Sequence, residues 1–264
     1  MTKPLKIATY NVNSINARLP RVLEWFDDAS PDVVVLQEIK CVDEKFPASH
    51  FEDRGYNVAV HGQKTYNGVA LLSKHPIDDV MTGLPGDKDD EQARYIEAVV
   101  MPDDHVPFRT CGLYLPNGNP SPGPKYDYKL NWMKRLHRRA EKLLTEEEPF
   151  VMLGDFNVIP QTEDCYDPIA WQEDALFRQE TRDAFRALMA LGLTDGLRAI
   201  EPNSIAYTFW DYQRGAWEKD HGIRIDHHLL SPQLADRLSG AGVDRKVRGR
   251  EKASDHVPVW IELD

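Results

Sequence analysis

The chain has 264 residues, 41% hydrophobic and 28% charged, the balance of a globular protein that buries a sizeable core rather than of a fragment or a disordered chain. Thirty-two Lys and Arg stand against 43 Asp and Glu, a formal net charge of -11, so a whole-molecule basic footprint for nucleic acid is absent. No apolar run approaches the roughly 20 residues of a membrane span. Met1 to Lys6 lacks the apolar core of a signal peptide. Cys41, Cys111 and Cys165 are an odd number without paired or metal-finger spacing, which reads as reduced thiols in a cytoplasmic protein.

Residues 5–11 form a short β-rich run that delivers Asn11, Asn13, Ser14 and Asn16 to a loop. Residues 18–28 place Leu19, Val22, Leu23 and Phe26 at helical spacing before Ser30-Pro31 stops the helix. Residues 32–37 are a buried-strand run ending at Gln37-Glu38, and strand, helix, strand is the order of an α/β protein. Residues 56–60, 68–73, 94–101 and 109–115 add strands, the last closing on Tyr114, Pro116, Asn117 and Gly118. Residues 125–144 are the longest helical pattern, with Leu130, Met133, Leu136, Ala140, Leu143 and Leu144 on one face and Lys134, Arg135, Arg138, Arg139 and Lys142 on the other. Residues 150–153 form a buried strand feeding Gly154-Asp155-Phe156-Asn157, and residues 183–191 an amphipathic helix. Residues 208–212, 223–230 and 257–263 supply the last strands. No long low-complexity linker divides the chain, so one domain spanning 1–264 is expected. A short echo between residues 7–11 and 151–157, each a buried strand ending in amides or carboxylates, suggests two similar α/β halves meeting at one site.

Five strand ends carry unusual polar residues: Asn11 with Asn13, Glu38, Asp155 with Asn157, Asp226, and Asp255 with His256. Polar groups in those places suit a cleft built from loops on a rigid scaffold. In an extended segment the side chains of Asp155 and Asn157 leave one face while Phe156 points into the core. Glu38 and the aspartates are hard oxygen donors with no zinc-like cluster competing, which implies Mg²⁺ or Mn²⁺. Phosphodiester hydrolysis needs an in-line water, neutralised non-bridging oxygens and help for the departing oxyanion. A metal carboxylate, an Asp/Asn pair holding the water and a His/Asp pair binding phosphate meet those needs.

These residues resemble the endonuclease/exonuclease/phosphatase superfamily, and within it the exonuclease III and abasic-site endonuclease branch. The likeness runs nearly end to end, through residues 9–18 (Thr-Tyr-Asn-Val-Asn-Ser-Ile-Asn-Ala-Arg), 36–40 (Leu-Gln-Glu-Ile-Lys), 114–117 (Tyr-Leu-Pro-Asn), 154–157 (Gly-Asp-Phe-Asn), 208–212 (Thr-Phe-Trp-Asp-Tyr), 224–226 (Arg-Ile-Asp) and 254–259 (Ser-Asp-His-Val-Pro-Val). The resemblance implies a four-layer α/β sandwich, two mixed β-sheets packed face to face with helices outside. It implies Glu38 as principal metal ligand, Asn11 orienting it, Asp255 in or just outside the metal shell, and Asp155 positioning or deprotonating the attacking water with Asn157 holding it. His256 would contact the scissile phosphate with its ring held by Asp226, and Tyr114 would hydrogen-bond the same phosphate. The reverse assignment, His256 as general base and Asp155 as a second metal ligand, stays open. DNA contacts are implied for Asn13, Arg18, Lys40 and Asn117, and Phe209 and Trp210 would line a pocket for an extrahelical, base-free deoxyribose. His227-His228 departs from the apolar continuation of the family, and His228 shares a face with Asp226 in a regular strand.

The expected function is therefore Mg²⁺-dependent hydrolysis, with Mn²⁺ as substitute, 5′ to abasic sites in double-stranded DNA, leaving a 3′-hydroxyl. The resemblance implies 3′ to 5′ exonuclease and 3′-phosphatase activity through the same site and a monomer. The alternatives are a phosphoesterase of the same fold with a non-DNA substrate and a non-catalytic DNA-binding relative. Seven Lys or Arg against two acidic residues between 125 and 142, and five against one between 245 and 252, suggest a small basic rim around an acidic, metal-filled cleft.

Overall fold

The computed structural model describes residues 3–264. In chain order the elements are β1 (Leu5–Asn11), α1 (Ile15–Ala29), β2 (Val33–Gln37), α2 (Ala48–Glu52), β3 (Asn57–His61), β4 (Val69–Ser73), β5 (Ile77–Thr82), β6 (Tyr95–Val100), β7 (Phe108–Tyr114), α3 (Pro124–Thr145), β8 (Phe150–Asp155), α4 (Gln179–Met189), β9 (Thr194–Asp195), α5 (Gly196–Ile200), β10 (Asp226–Leu230), α6 (Pro232–Ala235), β11 (Leu238–Val243) and β12 (Val259–Leu263). The strands form two six-stranded mixed sheets, ordered β11-β12-β1-β2-β4-β3 and β5-β6-β7-β8-β10-β9.

Alternation along the central strands builds the layers. Ile7, Val33, Val35, Val69 and Leu71 of the first sheet meet Ile96, Ala98, Val151, Leu153 and Leu230 of the second in one inter-sheet core. The opposite faces carry Ala8, Tyr10, Val34 and Leu36 against Val22, Trp25 and Phe26 of α1, and Cys111, Leu113 and Met152 against Trp132, Met133, Leu136 and Ala140 of α3 and Phe185 of α4. The result is the expected helix–sheet–sheet–helix order. At its centre Gly112 lets the sheets close, because a Cβ there would lie 2.4 Å from Val35 Cγ1. All three cysteines are free and buried. Among the described residues no helix is long and apolar enough to cross a membrane.

Each sheet has one parallel central pair, β1 with β2 and β7 with β8, flanked on both sides by antiparallel neighbours. The two halves therefore share a topology, but the equivalences run from β1 to β7 and from β2 to β8. The echo between residues 7–11 and 151–157 matches β1 with β8 and so does not mark that symmetry. It reflects only that both strands are buried and end at the same cleft.

Three further expectations change. Residues 208–212 are not a strand: Phe209 makes only isolated bridges to Ile223 and His256. The regular strand within residues 223–230 begins at Asp226. The edge strands β5 and β11, absent from the sequence reading, lie at the sheet margins, where half-exposed residues and glycines leave no clean apolar alternation.

Candidate active site

The ends of β1, β2, β7 and β8, the start of β10 and the segment before β12 converge at one end of the sandwich. Register explains why: Asn11 pairs with Gln37, Tyr114 with Asp155 and Asp226 with Asp155, so each sheet finishes in polar side chains on its inner face. The backbone around this rim is unusual. Asn13, Ser14, Glu38, Lys40 and Asn157 all have φ between 44° and 86°, a region that L residues hold only where the surroundings over-determine it, and such residues concentrate at functional sites. Gly154 is required for a different reason, since a Cβ there would lie 1.9 Å from the Leu113 carbonyl oxygen.

Asn11 is the hub. Its Nδ2 donates to Glu38 Oε1 at 2.9 Å and to Asp155 Oδ2 at 3.0 Å, bridging the two sheets. Its Oδ1 accepts from the Asn13 amide at 3.0 Å. Asn11 thus orients the two carboxylates. Lys40 Nζ lies 2.8 Å from Glu38 Oε2 and 2.6 Å from Asn13 Oδ1, so its ammonium is committed to the site interior. Burial pushes the Glu38 carboxyl up, but the Asn11 and Lys40 hydrogen bonds outweigh it and hold it below the usual carboxylate range.

Asp155, Asp226 and His256 are buried together. His256 Nδ1 donates to Asp226 Oδ2 at 2.9 Å, and its Nε2 is 3.7 Å from Asp155 Oδ2. Thr208 fixes the arrangement: its hydroxyl accepts from the Ile225 and Asp226 amides and donates to Asp226 Oδ2 at 2.6 Å. Burial disfavours a charged His256 ring, yet Asp226 and Asp155 outweigh it and raise the ring to about 10. Burial, with Asp226 and Glu38 nearby, raises Asp155 to about 7 against the pull of His256. The two shifts share one cause, the buried Asp155–His256–Asp226 array, which favours the imidazolium and holds Asp155 above the usual carboxylate range.

Tyr114 stands between the sheets with the Arg94 guanidinium 4.7 Å over its ring. Burial and the Glu38 and Asp155 carboxylates push its phenol well above the usual range, so it is a donor at neutral pH. Asn157 is placed by a turn rather than by the strand pleat. β8 ends at Asp155, the Asn157 amide donates to Asp155 Oδ1 at 2.9 Å, and its side chain bonds the Leu115 carbonyl and Asn117 Nδ2. Phe156 does enter the core, against Phe185.

The remaining expected residues fall at different depths. Glu38, Asp155 and His256 bring potential ligand atoms within 4.8 Å of one another. Asp255 lies outside that trio and accepts from Asn13 Nδ2 at 3.1 Å. Arg18 is spent on loops: it bonds the carbonyls of Asn13 and Ala253 and the Tyr212 hydroxyl. Phe209 is partly buried with its ring 5.0 Å from that of His256, beside the cleft. Trp210 is not beside it. Its ring is fully buried among Tyr207, Ala216 and Val257 and its Nε1 donates to Asp220 at 3.0 Å, so the expectation that it walls a sugar pocket is corrected: adjacent side chains of the extended segment leave opposite faces, and that of Trp210 enters the core. His228 is also core, between the sheets, where burial pushes its ring down to about 3 and keeps it neutral. His227 accepts on Nδ1 from Arg224, which can only donate, so its Nε2 carries the hydrogen that meets the Val158 carbonyl at 2.9 Å.

Arg94 and the Thr208 hydroxyl escaped the sequence reading. Thr208 lay within a quoted motif, but nothing in spacing distinguishes a hydroxyl that holds a distant aspartate. Arg94 had no signal at all.

The donor set suits a hard divalent cation. Glu38 and Asp155 offer carboxylate oxygens, whereas a protonated His256 offers no lone pair. The chain is 32% identical over 98% of its length to the full length of exodeoxyribonuclease III from Haemophilus influenzae. A Neisseria 3′ phosphatase, solved with a product DNA hairpin, is 41% identical with a TM-score of 0.94, covering 98% of this chain and 99% of that one. An AP endonuclease from Archaeoglobus fulgidus is 38% identical with a TM-score of 0.93 over the same shares. The sequence matches the Endonuclease/Exonuclease/phosphatase family over residues 8–256, a span that takes in every polar strand end of the cleft from Asn11 to His256, and the chain belongs to that family.

Proposed function

We propose that this protein is a divalent-metal-dependent phosphoesterase of DNA repair that hydrolyses duplex DNA at 3′ termini and 5′ to abasic sites through one site. The observation that carries the reading is the cluster of Glu38, Asp155 and His256, held across the two sheets by Asn11 and Asp226. Names of relatives at 32–41% identity support DNA as substrate.

Mg²⁺, with Mn²⁺ as substitute, would be held by Glu38 and Asp155, with Asn11 orienting both and Asp255 outside. When bound, the metal neutralises charge on the phosphate and the departing oxygen. The protein's own groups divide the remaining work. Asp155, ionised beside the metal, takes the proton of the attacking water. Asn157 fixes that carboxylate through its amide. His256, already an imidazolium, cannot serve as base at neutral pH and instead donates from Nε2 to a non-bridging oxygen. The Tyr114 phenol donates to the same group. Asn13, Asn117 and Phe209 line the approach of the strand, and Arg18 and Lys40 act on DNA through the loops they hold.

One observation orders the substrates. An extrahelical sugar needs flat walls; Trp210 is buried away from the cleft, and Phe209, bridged to Ile223, is an aromatic wall beside His256. A 3′-terminal phosphate or nucleotide needs no such pocket. We therefore place 3′-end processing ahead of abasic incision. The test compares duplexes bearing a 3′-phosphate, a recessed 3′ end or an abasic site, each with Mg²⁺ or EDTA. Metal-dependent turnover fastest at 3′ ends is the expected result. Abasic incision as the fastest reaction reverses the order, and turnover of none of the duplexes removes the reading.

A further inference from the structure

Lys129 occupies an interior position of α3. Tyr126, Lys129, Met133, Leu136 and Ala140 share the buried stripe, and at such spacing an apolar residue is the ordinary choice. Lys129 is instead completely buried. Its Nζ donates to two main-chain carbonyls, of Asn117 at 3.0 Å and of Asn157 at 2.5 Å, and among the described residues no carboxylate pairs with it. A buried cation lacking a counter-ion is costly, so its presence calls for a compensating role.

Both carbonyls belong to the cleft. The side chains of Asn117 and Asn157 are bonded to each other at 3.2 Å, and the Asn157 amide holds Asp155. Asn157 adopts φ 47°, a left-handed conformation that is unfavourable for an L residue and has to be held by its surroundings. Gly118 lets the loop lie on the lysine stem, because a Cβ there would be 2.7 Å from Lys129 Cδ.

We propose that Lys129 is a positioning residue for the hydrolytic step: its ammonium clamps the Asn117 and Asn157 carbonyls, locks the turn after β8, and so fixes the Asp155 carboxylate. The proposal deepens the phosphoesterase reading and rests on it for its kinetic consequences. Lys129 touches no substrate. It acts through Asn157. Burial pulls its ammonium down to about 7 although Asp155 and Asp174 draw it up, and both the ammonium and the neutral amine keep two N–H donors for the two carbonyls.

The test uses Lys129→Met and Lys129→Arg with whichever duplex the wild type cleaves, and amide hydrogen exchange by NMR on the same proteins. In Lys129→Met the turnover number falls about 100-fold, the effect of a catalytic group displaced by about 1 Å, while KM stays within about 3-fold. Exchange at Asn157 accelerates while Gly112 and Leu153 remain protected. Lys129→Arg, which keeps a cation and its donors, recovers most of the turnover. A folded Lys129→Met with near-wild-type turnover, a loss confined to KM, or exchange rising equally across β7 and β8 overturns the proposal. If the Met variant does not fold, the Arg variant decides: turnover as low as in Asp155→Asn refutes the clamp. A wild type inactive on every duplex removes the phosphoesterase reading instead, and the exchange measurement still tests the clamp.

Discussion

His256 and Asp226 form a buried pair, Nδ1 to Oδ2 at 2.9 Å, and the Thr208 hydroxyl bonds the same aspartate oxygen at 2.6 Å. Thr208 itself is fixed by two backbone amides, so the orientation of the imidazolium is set by a chain of bonds running back into β10. In the proposed reaction the ring supplies a fixed positive charge to the substrate phosphate and does not change protonation.

Asp226→Asn tests that arrangement. Burial disfavours the charged ring, and Asp226, with Asp155 and Asp255, raises it to about 10. With Asp226 neutral the ring titrates lower, so the alkaline limb of the rate profile moves to lower pH and turnover falls about 100-fold. Stability shifts with the same sign. A ring raised above its unfolded value of about 6.5 stabilises the fold fully below that pH and loses the contribution as pH rises through about 10. Urea midpoints of wild type and variant should therefore differ more at pH 6 than near pH 10. An unmoved alkaline limb in the variant would show that His256 is not the group being titrated.

Asp155→Asn is expected to lower turnover about 1000-fold. Duplex affinity in EDTA should be equal or tighter, because a carboxylate facing the phosphate is removed. Burial and the neighbouring carboxylates raise Asp155 while bound metal lowers it, so the metal-dependent wild-type rate should show an acidic limb that lies below about pH 7. The acidic limb should vanish from the residual activity of the variant. Retention of a tenth of the wild-type rate would instead favour His256 as base.

Much of this site was legible because a buried strand that ends in a polar residue must bring that residue somewhere. Val33 to Leu36 before Glu38 and Phe150 to Leu153 before Asp155 announce both the strand and the direction of delivery. Depth was not legible. Lys129 lies at helical spacing from Met133, Leu136 and Ala140 on the buried stripe, but its charge marks it for solvent, and nothing in the sequence announces the Asn117 and Asn157 carbonyls that receive it. Trp210 and Phe209 are adjacent aromatics with opposite fates, because successive side chains of an extended segment leave opposite faces, one toward His256 and the other toward Tyr207 and Trp217. The edge strands were silent for the reverse reason, with too little apolar surface to mark them.

That divergence between neighbours can be measured. Trp210→Ala removes a ring stacked edge-on at 5.1 Å from Trp217 and the bond to Asp220, and should destabilise the fold by about 3–5 kcal/mol. Phe209→Ala, at the cleft, should cost much less stability and alter kcat/KM among the three duplexes. Chemical denaturation together with the substrate panel separates the two. Equal destabilisation by both, with no change in substrate preference, would place Phe209 in the core as well.

The basic rim is narrower than a count of charges suggests. Of the seven Lys and Arg between 125 and 142, Lys129 is buried, Arg135 is bound to Asp90 at 2.6 Å and Arg139 to the buried Glu97. α3 runs away from the cleft: Lys129, near its start, lies under Asn117 and Asn157, while its end leads to the start of β8 at the opposite edge of the sheet. Exposed Lys134, Arg138 and Lys142 therefore point to solvent progressively farther from the reacting strand, and Lys125 at the near end is the residue of this helix best placed to meet a phosphate. Replacing Lys134, Arg138 and Lys142 together by Ala should leave duplex affinity within about 2-fold, whereas Lys125→Ala should weaken it and reduce the slope of log K against log salt by about 1. Titrations from 50 to 200 mM salt measure both. A larger slope change in the triple variant than in Lys125→Ala would mean that DNA crosses the far half of α3, and that the net charge of -11 hides a longer basic track than the cleft geometry implies.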